Sequence, residues 1–198
     1  MTAREEILAA VRGALRNADR AEGEVSRDYR SSVATTDVVD LFAERVVDYR
    51  AALTRCTAAE LPGAIRTALG SARKVLLPEG FPIEIDGTTA APAGTTADVA
   101  RFDAVVTTAA LGIATTGTIV LDHGPGQGRR ALSLVPDVHV CLLRADRIVP
   151  GVPQAVAALD PARPQTWISG PSATSDIELT RVEGVHGPRT LHVIVVTE

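Results

Sequence analysis

The chain has few aromatic residues, two cysteines, a single lysine and no long uninterrupted apolar run. Aromatics make up 3% of its 198 residues, which leaves no stacking platform for single-stranded nucleic acid. The formal net charge is −4 and the pI about 5.6, so no global field draws the protein toward phosphate backbones or anionic lipid. Cys56 and Cys141 lie far apart, without a CxxC pair. Their spacing suggests neither a zinc site, an iron–sulfur site nor a disulfide, and two buried thiols are expected. Lys74 is the only lysine, which excludes most Schiff-base chemistry. No apolar run approaches the ~18 residues of a membrane-spanning helix. The segment "MTAREEILAAVRGALRNADR" has no secretory apolar core, so a cytoplasmic protein is expected.

What remains is the composition of an ordinary globular chain, 45% hydrophobic and 22% charged, with room for one domain and an N-terminal appendage. Ile7, Leu8, Val11 and Leu15 fall on one stripe of an amphipathic helix. The stretch "NADRAEGEVSRDYRSSVATT" has no periodicity and reads as a linker. Helical spacing resumes in "TDVVDLFAERVVDYRAAL", with Thr36 or Asp37 as cap and Val39, Phe42, Val46 and Leu53 on the apolar side. A further helix in "AAELPGAIRTALG" should end at Gly70. The expected organisation is an N-terminal helix and flexible linker over 1–35, followed by an α/β domain over 36–198.

From residue 73 onward the pattern changes. "RKVLLP", "FDAVVTTA", "TGTIVLD", "HVCLLRA", "TWISG" and "TLHVIVV" are short β-branched runs bounded by turn formers. Several are apolar nearly throughout, as befits strands covered on both faces. A layered α/β fold follows, with a mixed or parallel sheet flanked by helices and antiparallel pairs in the second half, where crossover helices are few.

Three segments carry candidate chemistry. Thr116, Gly117 and Thr118, with Thr115 before them, present hydroxyls and N–H groups that either surround an anion or simply close a tight turn. "DHGPGQGRRAL" is GxGxG and not the dinucleotide pattern GxGxxG. It is either a surface loop or a glycine flap that brings Arg129 and Arg130 to an anion. In "GPSATSDIELTRVEGVHGP", Ser175 and Glu178 match a helix capping box, while Asp176, Glu178 and His186 offer groups for proton transfer. Both readings stay open. His139 is expected to open a strand with backbone partners, His123 to sit at the mouth of the glycine loop, and no histidine spacing indicates a metal.

Taken in order, "GIATTGTIVL", "LSLVPDVHVCLL", "ISGPSATSDIE" and "GVHGPRTLHVIVV" closely resemble the LUD-domain proteins and, within them, the lactate-utilisation protein C (LutC/YkgG-like) family. The resemblance covers the second half of the chain. It implies a fold like those of ribose-5-phosphate isomerase, glucosamine-phosphate deaminase and coenzyme A transferases. It also implies a role in bacterial L-lactate oxidation to pyruvate beside two partners, at least one carrying iron–sulfur clusters. This chain lacks cluster-binding cysteines, so such clusters are expected only in partner proteins, with no cofactor of its own. Carried over by motif, the expected ligand site is Thr116, Gly117, Thr118, Gly170, Pro171, Ser172, Thr174 and Gly187, with Asp176, Glu178 and His186 as catalytic candidates. Arg129 is expected to close over a carboxylate or phosphate. The competing expectation is a noncatalytic assembly or regulatory subunit whose N-terminal helix docks on the iron–sulfur partner. Homo-oligomerisation stays open, and fold analogy alone suggests an independent sugar-phosphate or folate-type enzyme.

Overall fold

The computed structural model of the chain describes residues 2–18, 25–28, 37–91, 94–174 and 182–197. They belong to two compact units, Met1–Arg30 and Ser31–Glu198. The first holds α1 (Ala3–Ala14), opened by a capping box in which Thr2 Oγ1 accepts from the Glu5 N–H and Glu5 Oε2 accepts from the Thr2 N–H. No residue of α1 is buried, and Ile7, Val11 and Leu15 all stand exposed. No helix among the described residues is long and apolar enough to cross a membrane.

In the second unit α2 (Val38–Asp48) is followed by β1 (Ala52–Thr57), α3 (Leu61–Leu69), β2 (Val75–Leu77), β3 (Thr88–Ala90) and α4 (Thr96–Val99). Then come β4 (Ala104–Thr108), β5 (Leu111–Ile113), β6 (Thr118–Leu121), β7 (Val138–Arg144) and β8 (Ile148–Val149). The chain ends with α5 (Val152–Ala158), β9 (Thr166–Ile168), β10 (Ala173–Thr174), β11 (Val182–Glu183) and β12 (Thr190–Thr197). Six strands form an all-parallel sheet in the order β1-β12-β7-β4-β2-β3. A second sheet, β8-β5-β6-β9, supplies antiparallel pairs at β5/β6 and β6/β9. The strands flanking the glycine-rich loop, β6 and β7, thus belong to different sheets and do not pair with each other.

The apolar runs are explained by the central strands. In a strand alternate side chains point to opposite faces. In β7, Val140 and Leu142 pack with Ile65 of α3, while Cys141 and Leu143 pack with Phe42 and Val46 of α2. In β12, Ile194 joins the first group, and Val193 and Val195 the second. Ile119 and Leu121 of β6 enter the same core as Phe42, so the second sheet lies over the α2 face of the first. Its far side is covered by Ala155 of α5. Neither face of β7 or β12 meets water, and so neither alternates.

One boundary differs from expectation. The helical reading of "RAAL" fails because α2 stops at Asp48 and Arg50 takes a left-handed φ of 65°. The next six residues then pair in parallel with β12, from Ala52 opposite His192 to Thr57 opposite Thr197. Leu53 still reaches the core it was expected to join, but from a strand. Tertiary pairing overrides a helical spacing that happens to continue. Asp37 caps α2 as expected, accepting from the Val39 and Asp40 N–H groups at 2.9 Å each. These bonds, the one from Asp40 first, hold its carboxyl below the ordinary carboxylate range.

Gly117 joins the two sheets to α2. Its φ is 58°, and a Cβ there would lie 2.7 Å from the Arg45 carbonyl carbon and 2.8 Å from the Val46 nitrogen. Gly70 has a similar φ of 55° but open space around it. Gly117→Ala should therefore cost about 2 kcal/mol or more, and Gly70→Ala about 1 kcal/mol, the backbone component alone. Urea unfolding of both variants measures the difference, and equal losses would show that the close approach to α2 does not matter.

Candidate functional site

A cavity of about 290 Å³ opens between the two sheets. One wall is β9 and the segment that follows it, Ser169–Ala173, and the opposite wall is His186–Pro188. His139 of β7 and Leu191 of β12 form its floor, and Arg130, Ser133 and Leu134 close the side. His139 and Leu191 are each the second residue of their strands, so the cavity lies toward the amino ends of the central pair. Ligands in open parallel sheets more often bind at the carboxyl ends.

Local backbone bonds bring the two walls together. Ser172 N–H donates to the Pro188 carbonyl and Gly184 N–H to the Ser172 carbonyl, each at 2.9 Å. The Ser172 hydroxyl accepts from the His186 N–H at 3.2 Å, and β10 and β11 pair just beyond. Gly170, with φ 81°, lies so close to α2's end that a Cβ would meet the Tyr49 carbonyl oxygen at 2.6 Å, which only glycine permits. Gly170, Pro171, Ser172, His186 and Gly187 therefore line one cavity. Thr174 sits in β10, outside the lining. Asp176 and Glu178, and with them the Ser175–Glu178 capping box, lie outside the described residues.

The Thr-Gly turn stands one layer back. Thr116, Gly117 and Thr118 do not line the cavity. Thr116 Oγ1 and Thr118 Oγ1 are 2.7 Å apart, and Thr118 Oγ1 is 2.8 Å from Ser169 Oγ. Ser169 is in the wall, so this chain of hydroxyls orients it from behind.

His139 has a role that its place in the sequence did not suggest. It is 1% exposed, and burial holds its pKa down at about 4, so the ring is neutral at physiological pH. Its partner is a side chain and not the backbone: Nε2 lies 2.8 Å from Thr107 Oγ1 on the adjacent strand β4. The Thr107 hydroxyl also reaches Cys141 Sγ at 3.6 Å. Both cysteines are buried and free, and burial pushes the Cys141 thiol up to about 12, which keeps it protonated and unreactive.

The glycine loop is held down and does not form a flap. Thr108 N–H donates to Gly126 O and Gly126 N–H to Glu79 O, both at 2.8 Å. Asp122 N–H donates to Gln127 Oε1 at 2.6 Å, and His123 Nδ1–H donates to Gly128 O at 2.8 Å. His123, Gly126 and Gly128 all have positive φ. Arg129 lines a neighbouring, wider cavity of about 720 Å³ with Arg163 and His123; it donates to the Thr95 carbonyl at 3.4 Å and lies within electrostatic reach of Asp98. Arg130 lines both cavities, and among the described residues its side chain has no hydrogen-bonding or ionic partner. His123 Nε2, 3.1 Å from Thr166 Oγ1, ties the glycine loop to β9. No group of three or more His, Cys, Asp or Glu suited to a metal ion occurs among the described residues.

Sequence reasoning thus gave His139 only a structural place at the start of a strand, passed over Ser169 and Thr166, and weighed Arg130 only beside Arg129. The available signal for His139 was an imidazole at the start of an otherwise apolar strand, a costly residue to bury without purpose. Ser169 directly precedes the glycine that starts the GPS motif.

The fold is a parallel α/β sheet covered on both faces, with a cavity between it and a second sheet. The chain belongs to the LUD domain family, whose pattern it matches over residues 14–196. It is 51% identical over 173 residues to "Lactate utilization protein C" of Deinococcus radiodurans, covering 83% of this chain and 82% of that protein. It is 37% identical over 93 residues to "Uncharacterized protein YkgG" of Escherichia coli strain K12, covering 42% of this chain and 40% of that one. A crystal structure of a DUF162 family protein from Deinococcus radiodurans superposes with a TM-score of 0.70 at 44% identity, covering 83% of this chain and 99% of that one.

Burial of His139 fixes the sign of one pH effect. Its folded pKa of about 4 lies below the ordinary 6.5, so between these values the unfolded chain binds the proton and the folded chain does not. Stability should fall as pH drops through that window, by about 3 kcal/mol from this group, and be unaffected by it above pH ~6.5. His192, half-buried against Thr54, adds in the same direction. Urea midpoints of wild type and His139→Asn from pH 7 to 4 should converge as pH falls, and parallel curves would contradict the assignment.

Proposed function

We propose that the protein is a component of a bacterial L-lactate oxidation system and binds a small carboxylate in the cavity between its sheets. The observation that supports this most is the convergence of "GPS" and "VHGP" on one cavity whose side holds Arg130, an arginine with no carboxylate partner among the described residues. A guanidinium in a partly desolvated site favours a carboxylate or phosphate through paired N–H donors. Arg130 then takes the anion, with Ser169 and Ser172 as further hydroxyl partners, supported by Thr118 and Thr116 behind. His186, exposed at the mouth, exchanges a proton with the ligand or solvent, and Asp176 and Glu178 are the carboxylates offered by the adjoining segment. Arg129 flanks the entrance from the second cavity. Electrons leave through an iron–sulfur partner, and the likeness to the Deinococcus lactate utilization protein supports the part of this reading that concerns lactate.

A thermal-shift screen with lactate, pyruvate, sugar phosphates, nucleotides and acyl-coenzyme A tests ligand class, since a ligand at 100 times its Kd adds about 2.7 kcal/mol to stability. The small carboxylates should stabilise wild type, and Arg130→Gln should weaken their binding by about tenfold or more, the ordinary loss for one charge-assisted pair. Ser172→Ala and His186→Ala should impair lactate-dependent growth of a complemented deletion strain. Full binding and growth in all three variants would end the proposal.

A specific observation favours a second reading, in which the chain also serves as an assembly subunit. The apolar stripe of α1 is unburied, with Ile7 64% exposed, and an amphipathic helix of this kind gains stability only against another surface. Removal of residues 1–30 should abolish co-purification with the iron–sulfur partner while leaving carboxylate binding intact, whereas unchanged co-purification would remove this reading.

A further inference from the structure

The floor of the cavity offers one specific hydrogen-bonding atom. Thr107 Oγ1 lies 2.8 Å from His139 Nε2 and 3.6 Å from Cys141 Sγ; a hydroxyl that gives its one proton to the sulfur takes its other bond from Nε2–H. The neutral ring then carries its proton on Nε2, and Nδ1 is left with a lone pair. His139 lines the cavity, yet among the described residues Nδ1 has no partner. A polar atom at a buried position is costly unless it is matched, and here the match has to come from what enters the cavity.

This inference rests on the carboxylate site proposed above. We infer that His139 determines specificity there: Nδ1 accepts the hydroxyl hydrogen of a bound α-hydroxy carboxylate whose anionic end is taken by Arg130. The cavity therefore selects a hydroxy acid over both the matching keto acid and the unsubstituted acid. A keto oxygen carries no hydrogen and would place its lone pairs against that of Nδ1. An acid with no oxygen at this carbon leaves Nδ1 unpaired. Thr107 acts through the ring as a positioning residue by fixing which nitrogen holds the proton.

Calorimetry on the full chain with L-lactate, pyruvate and propanoate separates the claims. Lactate should bind about tenfold or more tighter than either of the others, the usual discrimination of a site built to pair a hydroxyl. In His139→Leu the three acids should bind within about threefold of one another, lactate losing about tenfold relative to wild type. Thr107→Val, which keeps the ring but frees its tautomer, should narrow the lactate preference without altering propanoate binding. Should either variant fail to fold, imidazole nitrogen NMR of the wild type decides: lactate, but not propanoate, should shift the His139 Nδ1 resonance. Equal binding of lactate and propanoate, or preference for pyruvate, would overturn the role of His139 and leave the carboxylate site standing. If none of the acids binds, or Arg130→Gln binds all three as wild type does, the carboxylate reading fails and this inference fails with it.

Discussion

The burial of both faces of the β7–β12 pair is the constraint on which the rest of the larger unit depends. A parallel pair cannot close through a short hairpin, so the chain must travel away and return between these strands. It uses that path to lay down β8, α5 and β9, which become much of the second sheet and its cover. The opposite face is filled by α3, which arrives directly after β1. Phe42 and Val46, one helical turn apart on α2, pack against both sheets at once. The contact between Gly117 and the α2 backbone sets how closely the helix can approach. A side chain there would separate the layers that define the cavity.

The cavity lies where this apolar packing stops. At the amino ends of β7 and β12 the α2 face is no longer covered by helix, and the residue that fills the floor is polar. His139 can occupy that place because Thr107, on the adjoining strand, pairs one ring nitrogen, and burial keeps the ring uncharged. The second sheet contributes β9 and the strap beyond it as the opposite wall. The resulting cavity has a neutral hydrogen-bonding group at its base, His139, and a cation at its side, Arg130, the arrangement on which the proposed anion site rests.

Much of this was legible in the sequence, and the exceptions share a cause. Apolar runs such as "VCLL" and "VIVV" announce covered strands, because no other arrangement hides consecutive side chains. Asp37 and Gly70 mark helix ends through local chemistry alone. The strand Ala52–Thr57 was not legible, since its residues fit the preceding helical spacing and only the partner β12, far along the chain, selects the extended form. The same holds for the site. "GPS" and "VHGP" read as one region because they are close in sequence and zip together by backbone bonds. His139, Thr107 and Arg130 come from three other segments, and nothing local links them. The Thr-Gly turn was noticed for its hydroxyls, but its glycine serves packing, and only Thr118 communicates with the wall, through Ser169.

Arg130 ties these levels together. The loop before it is rigid because its N–H and carbonyl groups are bound to Glu79, Thr108 and its own residues. That rigidity places Arg130 at the border of two cavities without the entropic cost of ordering a flap when a ligand arrives. Among the described residues no carboxylate pairs with this guanidinium, and on the proposed reading its charge is met by an incoming anion. Arg163 is already paired with Asp122 at 2.8 Å, but on the same reading Arg129, which lines the wider cavity, draws anions toward Arg130. Arg130 can then pass a small one inward, where neutral groups, not further charge, discriminate among acids of equal charge. On the proposed reading charge decides which class of molecule reaches the cavity, and the hydrogen-bonding floor decides which member of that class remains.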